Sequence, residues 1–145
     1  MRVCGVDLVG NDAVICLLEQ EGQQFTLPDC RARKLELPKE HSREDLQQFQ
    51  FSFAKLMADY KVSTVAIRER QTKGKFAGGA VSFKLEAAIQ LISTLDVLVL
   101  SPATIKSALK ENPLPLKFSD TGLKVFQEGA FTVAVAAHSL VNSAS

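Results

Sequence analysis

The chain opens with short apolar blocks broken by turn residues. Residues 2–9 (RVCGVDLV) and 12–19 (DAVICLLE) read as two strands joined through Gly10-Asn11, residues that tolerate the positive φ of a tight hairpin. A more polar alternation over 23–27 stops at Pro28, which suits an edge strand, and residues 29–40 add an extended stretch. Ser42, followed by Glu44 and Asp45, marks a helix start. Leu46, Phe49, Phe53, Leu56, Met57 and Tyr60 then recur at helical spacing.

Residues 62–67 are β-branched and apolar, the mark of a buried parallel strand. After a polar loop over 68–79, a second helix is predicted over 79–95. Ala80, Phe83, Ala87, Ala88, Leu91 and Ile92 make its inner face. Residues 97–100 form another short strand. Ser101-Pro102 then reads as a cap followed by proline at the first helical position. Beyond the breaker-rich 112–115, a long last helix is predicted over 120–141, using Val125, Phe126, Ala130, Val133, Ala134, Ala137 and Leu140. The phenylalanines at 49, 51 and 53 are too dense for one helical face, so Phe51 is expected to point outward.

Three strands, then helix, strand, helix, strand, helix define a mixed α/β sheet. With 145 residues, the simplest organisation is one domain spanning 1–145. A net charge of +1 gives no global pull toward nucleic acid or an anionic membrane, so any basic site must be local. No apolar run reaches a membrane span and the first residues do not read as a signal peptide, which makes a cytoplasmic location the expectation. Cys4 and Cys16 fall inside apolar strands and read as small buried thiols, whereas Cys30 lies in a polar connector. The only two histidines, His41 and His138, have no paired ligands beside them, which argues against structural zinc; His138 is expected to be partly buried and hydrogen-bonded.

The order of elements resembles that of the ribonuclease-H-like superfamily, which implies a five-stranded mixed sheet of order 3-2-1-4-5 with helices on both faces. In detail the chain is most similar to RuvC-type Holliday-junction resolvases. CGVDL (Cys4 to Leu8) resembles their first-strand signature, and VAIRE (Val65 to Glu69) their central strand ending in an acid. SPATIKSAL (Ser101 to Leu109) and EGAFTVAVAAHSL (Glu128 to Leu140) are similar to the segments that form their next helix and their last one. The chain also resembles a bacterial family known only as a domain of unknown function.

The resemblance implies Mg²⁺-dependent cleavage of phosphodiesters in structured nucleic acid by a homodimer. Asp7, Glu69 and Glu128 would be the catalytic residues and the metal ligands, since magnesium prefers hard oxygen donors. Two departures stand out. Arg68 fills the place of the strand's glutamate, with Glu69 one step later, and one step along a strand reverses the face. The second acid of the last helix falls on Phe131.

A basic loop, RERQTKGKFAGG over 68–79, follows the central strand at the start of a helix, where anions are favoured. Arg68, Arg70, Lys73 and Lys75, with Lys84 and Lys106 on the following helices, are the candidate phosphate contacts; the alternative is a solvated loop whose charge serves solubility. The rival to an enzyme is a catalytically inactive module in which Arg68 neutralises Asp7 and the protein binds nucleic acid or a protein partner.

Overall fold

The computed structural model describes residues 1–38, 40–73, 79–114 and 117–144, with main chain alone at 143 and 144. Its first two strands, β1 (Arg2–Val9) and β2 (Asp12–Glu21), form the expected antiparallel hairpin, with Gly10 at φ +60° in the turn. Two short strands share the far edge of β2: β3 (Gln24–Thr26) pairs with its end, and β4 (Lys34–Glu36) with its beginning. On the other side β1 pairs in parallel with β5 (Thr64–Arg68), which pairs in parallel with β6 (Asp96–Leu100). The path β3-β2-β1-β5-β6 is the expected order, with β4 added from the extended stretch.

Helices cover both faces. Helices α1 (Arg43–Asp59) and α2 (Ala80–Gln90) pack on the side presenting Cys4, Val6, Leu8, Val65 and Ile67. The opposite side presents Val3, Val14, Cys16, Ala66 and Leu100 to α3 (Pro102–Glu111) and α4 (Glu128–Ala144). Ser42 caps α1 through its hydroxyl, which accepts from the Asp45 amide, while Asp45 accepts from the Ser42 amide. Phe53 and Met57 are fully buried, and Phe51 is 65% exposed, as its position in the triplet predicts. Burial pushes the Cys16 thiol up to about 12, so it behaves as a core side chain.

Two helices depart from expectation. Helix α2 ends at Gln90, before β-branched Thr94, and turns Ser82, Leu85, Ala88 and Ile89 inward. Leu91, placed on the inner face by its spacing, is 76% exposed. Ala88 and Ile92 of the expected face are buried, but Leu85 and Ile89 join them in place of Ala87 and Leu91, removing more branched surface from water and setting the rotation.

The last helix begins at Glu128 rather than near Asp120. Gly122 at φ +78° breaks the run, and two single-turn 3₁₀ helices, Phe118–Asp120 and Val125–Gln127, flank it. Val125 therefore stands 85% exposed and Phe126 47% exposed, outside the core.

From Glu128 onward the small residues of α4 let it lie unusually close to β1. A β-carbon on Gly5 would collide with the main-chain carbonyl of Ala130, and it would come within 2.9 Å of the Ala134 methyl. Further along, His138 is buried and donates from Nε2 to the Leu18 carbonyl at 2.8 Å.

Candidate functional site

Asp7 stands near the carboxyl end of β1, and alternation along that strand decides its surroundings. Cys4, Val6 and Leu8 point toward α1 and α2, so Val3, Gly5 and Asp7 point toward α4. The carboxylate is buried against the first turn of α4. A β-carbon on Gly129 would collide with Asp7 Oδ2, and it would lie 3.4 Å from Arg68 Nη1. Gly129 is thus the contact that lets helix, carboxylate and guanidinium meet.

Gln127 holds this corner. It is buried, donates to the Ile15 carbonyl at 3.0 Å and accepts from the Lys124 amide at 3.0 Å. The amino end of α4 therefore sits beside Asp7, where its dipole favours a negative charge.

The ion pair that the sequence assigned to Arg68 is made instead by Arg70, two residues further on. Arg70 Nη1 lies 3.9 Å from Asp7 Oδ1, while Arg68 Nη1 lies near Gly129 without pairing with the carboxylate. Asp7 Oδ1 is buried and has no hydrogen-bond partner among the described residues, so the attraction to Arg70 is an ion pair rather than a close hydrogen bond.

Glu69 goes the other way. Val65 and Ile67 face α1 and α2, and the main chain continues the ladder past β5, the Glu69 amide donating to the Leu100 carbonyl at 2.9 Å. Glu69 thus emerges on the α2 side, in a cleft of about 650 Å³ shared with Arg70, Lys73, Phe83, Glu86 and Gln90. Burial, with a smaller push from Glu69, raises the Glu86 carboxyl above its ordinary value.

Glu128 is exposed at the first turn of α4. Among the described residues no three His, Cys, Asp or Glu side chains gather in a group able to hold a metal ion. A pair of magnesium ions needs converging oxygen donors, whereas Asp7 is met by the Arg70 guanidinium and by Gly129. These residues do not fit a shared two-ion centre.

The basic residues divide similarly. Arg68 ends β5, Arg70 and Lys73 line the cleft beyond it, and Lys75 lies outside the described residues. Lys106 is exposed on α3. Lys84 turns to the segment just before α1, its Nζ 2.7 Å from His41 Nδ1. Glu86 and Gln127 were not singled out from sequence, whereas Gly129 was expected among the small residues that let the last helix pack closely on the sheet, as it does. A glycine within an alanine-rich helical run was the available signal for Gly129; Glu86 was hidden by the misplaced face of α2.

Strand order, helix placement and an acid at the end of the central strand define a ribonuclease-H-like α/β fold. Residues 1–137 match the family described as "Protein of unknown function (DUF3010)", and the chain belongs to that family. No curated protein matches by sequence.

Among solved structures, RuvC of Thermus thermophilus superposes with a TM-score of 0.78 at 12% identity, covering 99% of this chain and 97% of that one. The T. thermophilus RuvC complex with a Holliday junction substrate gives 0.75 at 14% identity, covering 100% and 97%. The fowlpox virus Holliday junction resolvase gives 0.53 at 12% identity, with each chain fully covered, 100% and 100%. The architecture is that of these resolvases.

Proposed function

We propose that this protein is a ribonuclease-H-like module that binds structured nucleic acid through its phosphates without hydrolysing them by the two-metal route. The observation that carries this reading is the Asp7–Arg70 ion pair, with Arg68 beside it. Where a hydrolase of this fold would need carboxylates to draw in cations, this chain sets the Arg70 guanidinium against the buried Asp7. Arginine in such a place recognises phosphate oxygens through its forked donors. Arg68, Arg70 and Lys73 form the contact surface, extended by Lys106. Likeness to a resolvase solved with its junction substrate makes a four-way DNA junction the first ligand to try. The protein works as a homodimer on this reading, and Phe51 on α1 is the exposed apolar residue available to the contact; sedimentation at several concentrations tests that part.

The deciding experiment incubates the protein with a labelled four-way junction at low and moderate salt, with and without Mg²⁺ or Mn²⁺. Salt-sensitive binding without strand cleavage, weakened by Arg70→Ala and by Lys73→Ala, is the expected result. Metal-dependent cleavage abolished by Asp7→Asn would restore the hydrolase reading, with Asp7, Glu69 and Glu128 as its acids. Absence of binding to any DNA or RNA at low salt would leave a protein partner.

A further inference from the structure

The cleft on the α2 side has a composition that phosphate binding does not use. Phe83, Glu86 and Gln90 fall at i, i+3 and i+7 on α2 and so form one stripe along it. Val99 of β6 joins the wall, and Arg70 and Lys73 are on the lining too. An aromatic ring, an aliphatic wall, two hydrogen-bonding side chains and adjacent cations match a nucleotide: apolar base faces, a polar edge, and a phosphate one linkage away. At about 650 Å³ the space holds a nucleoside.

Glu86 indicates which edge. Its Oε1 is buried in the wall of the cleft and has no hydrogen-bond partner among the described residues, so a ligand that draws the carboxylate outward relieves it. Such an orphaned group is costly unless a ligand satisfies it. A carboxylate accepts; it rejects bases that offer only carbonyl oxygens at the same place. Guanine presents N1–H and the 2-amino group side by side, two parallel donors for one carboxylate.

We infer that this cleft receives a single unpaired guanine, stacked against Phe83 and read by Glu86, while its phosphate rests on Arg70 and Lys73. The inference depends on the nucleic-acid reading above and adds base selectivity to it. Single-stranded bases bind proteins in this manner, by stacking on an aromatic ring and by hydrogen bonds along the edge.

The test is fluorescence anisotropy at low salt, with a short oligothymidine and the same strand carrying one central guanine. The guanine strand is expected to bind about tenfold more tightly, the scale of one bidentate base contact. Inosine at that position, lacking the 2-amino group, should fall between. Glu86→Gln should bring the ratio of the two affinities close to one, and Phe83→Leu should weaken binding of the guanine strand. If oligothymidine binds and the guanine strand binds no better, the base pocket is overturned and the phosphate-binding reading stands. A ratio kept by Glu86→Gln overturns the role of that carboxylate. If neither strand nor the junction binds, the parent reading fails and this inference falls with it.

Discussion

Arg70 Nη1 lies 3.9 Å from Asp7 Oδ1, joining the end of β1 to the segment just beyond β5. Asp7 is only 7% exposed, and Arg70 is the cation in ion-pair range of it among the described residues. Removing one member of a buried pair costs more than the pair contributes, because the other is left stranded. Arg70→Ala should therefore lower stability by about 1–3 kcal/mol, and Asp7→Asn in the same chain should recover part of the loss. Urea unfolding of the two single variants and the double variant measures the coupling; additive losses would mean that the two side chains do not interact.

Gly129 and Gly5 should respond to alanine in the same direction but by different amounts. In an ordinary helix interior, Gly→Ala stabilises by about 1 kcal/mol. At Gly129 the new methyl meets the Asp7 carboxylate, which can turn aside at the expense of its surroundings. At Gly5 it meets the main-chain carbonyl of Ala130, which cannot move without shifting α4. We expect Gly129→Ala to be destabilising by about 1 kcal/mol and Gly5→Ala by about 3 kcal/mol or more. Thermal melts rank them, and a stabilised Gly129→Ala would show that the corner is looser than described.

His138 makes stability fall in mild acid. Burial lowers its pKa from the ordinary 6.5, and the hydrogen bond to the Leu18 carbonyl only partly opposes that. Above 6.5 the ring is neutral in both folded and unfolded chains, and the group has no pH-linked effect. Below it the unfolded chain takes up a proton that the folded one resists, so stability drops as pH falls, until the lowered pKa is reached. The slope from this group is at most about 1.4 kcal/mol per pH unit. Melting temperatures between pH 5 and 8 should fall toward acid in the parent and fall less in His138→Gln.

Ser42→Ala should cost about 1 kcal/mol, since it removes one half of the capping box that starts α1. Chemical denaturation checks this, and amide exchange at Asp45 should rise with it.

Much of the architecture was legible because it rests on local rules. The Gly10 turn, the Ser42 and Ser101 caps, the apolar stripe of α1 and the β-branched run of β5 each carry their signal within a few residues. Helix α2 was less legible because two apolar stripes competed and only packing against the sheet chose between them. The amino end of α4 was misplaced because helical spacing continues through Val125 and Phe126, although Gly122 breaks the helix before them.

The site divides along the same line. Sequence by itself determined that Asp7 lies near the end of an apolar strand, that Arg68 precedes Glu69 in a run of charge, and that these groups belong to an α/β sheet. Only the tertiary structure decided which face each side chain takes. Asp7 turns to α4 and Glu69 to α2, while Arg70 reaches from the cleft to the buried acid. The reason is the period of two along a strand: a single residue sends neighbouring side chains to opposite layers, and the helices packed there decide what each one meets.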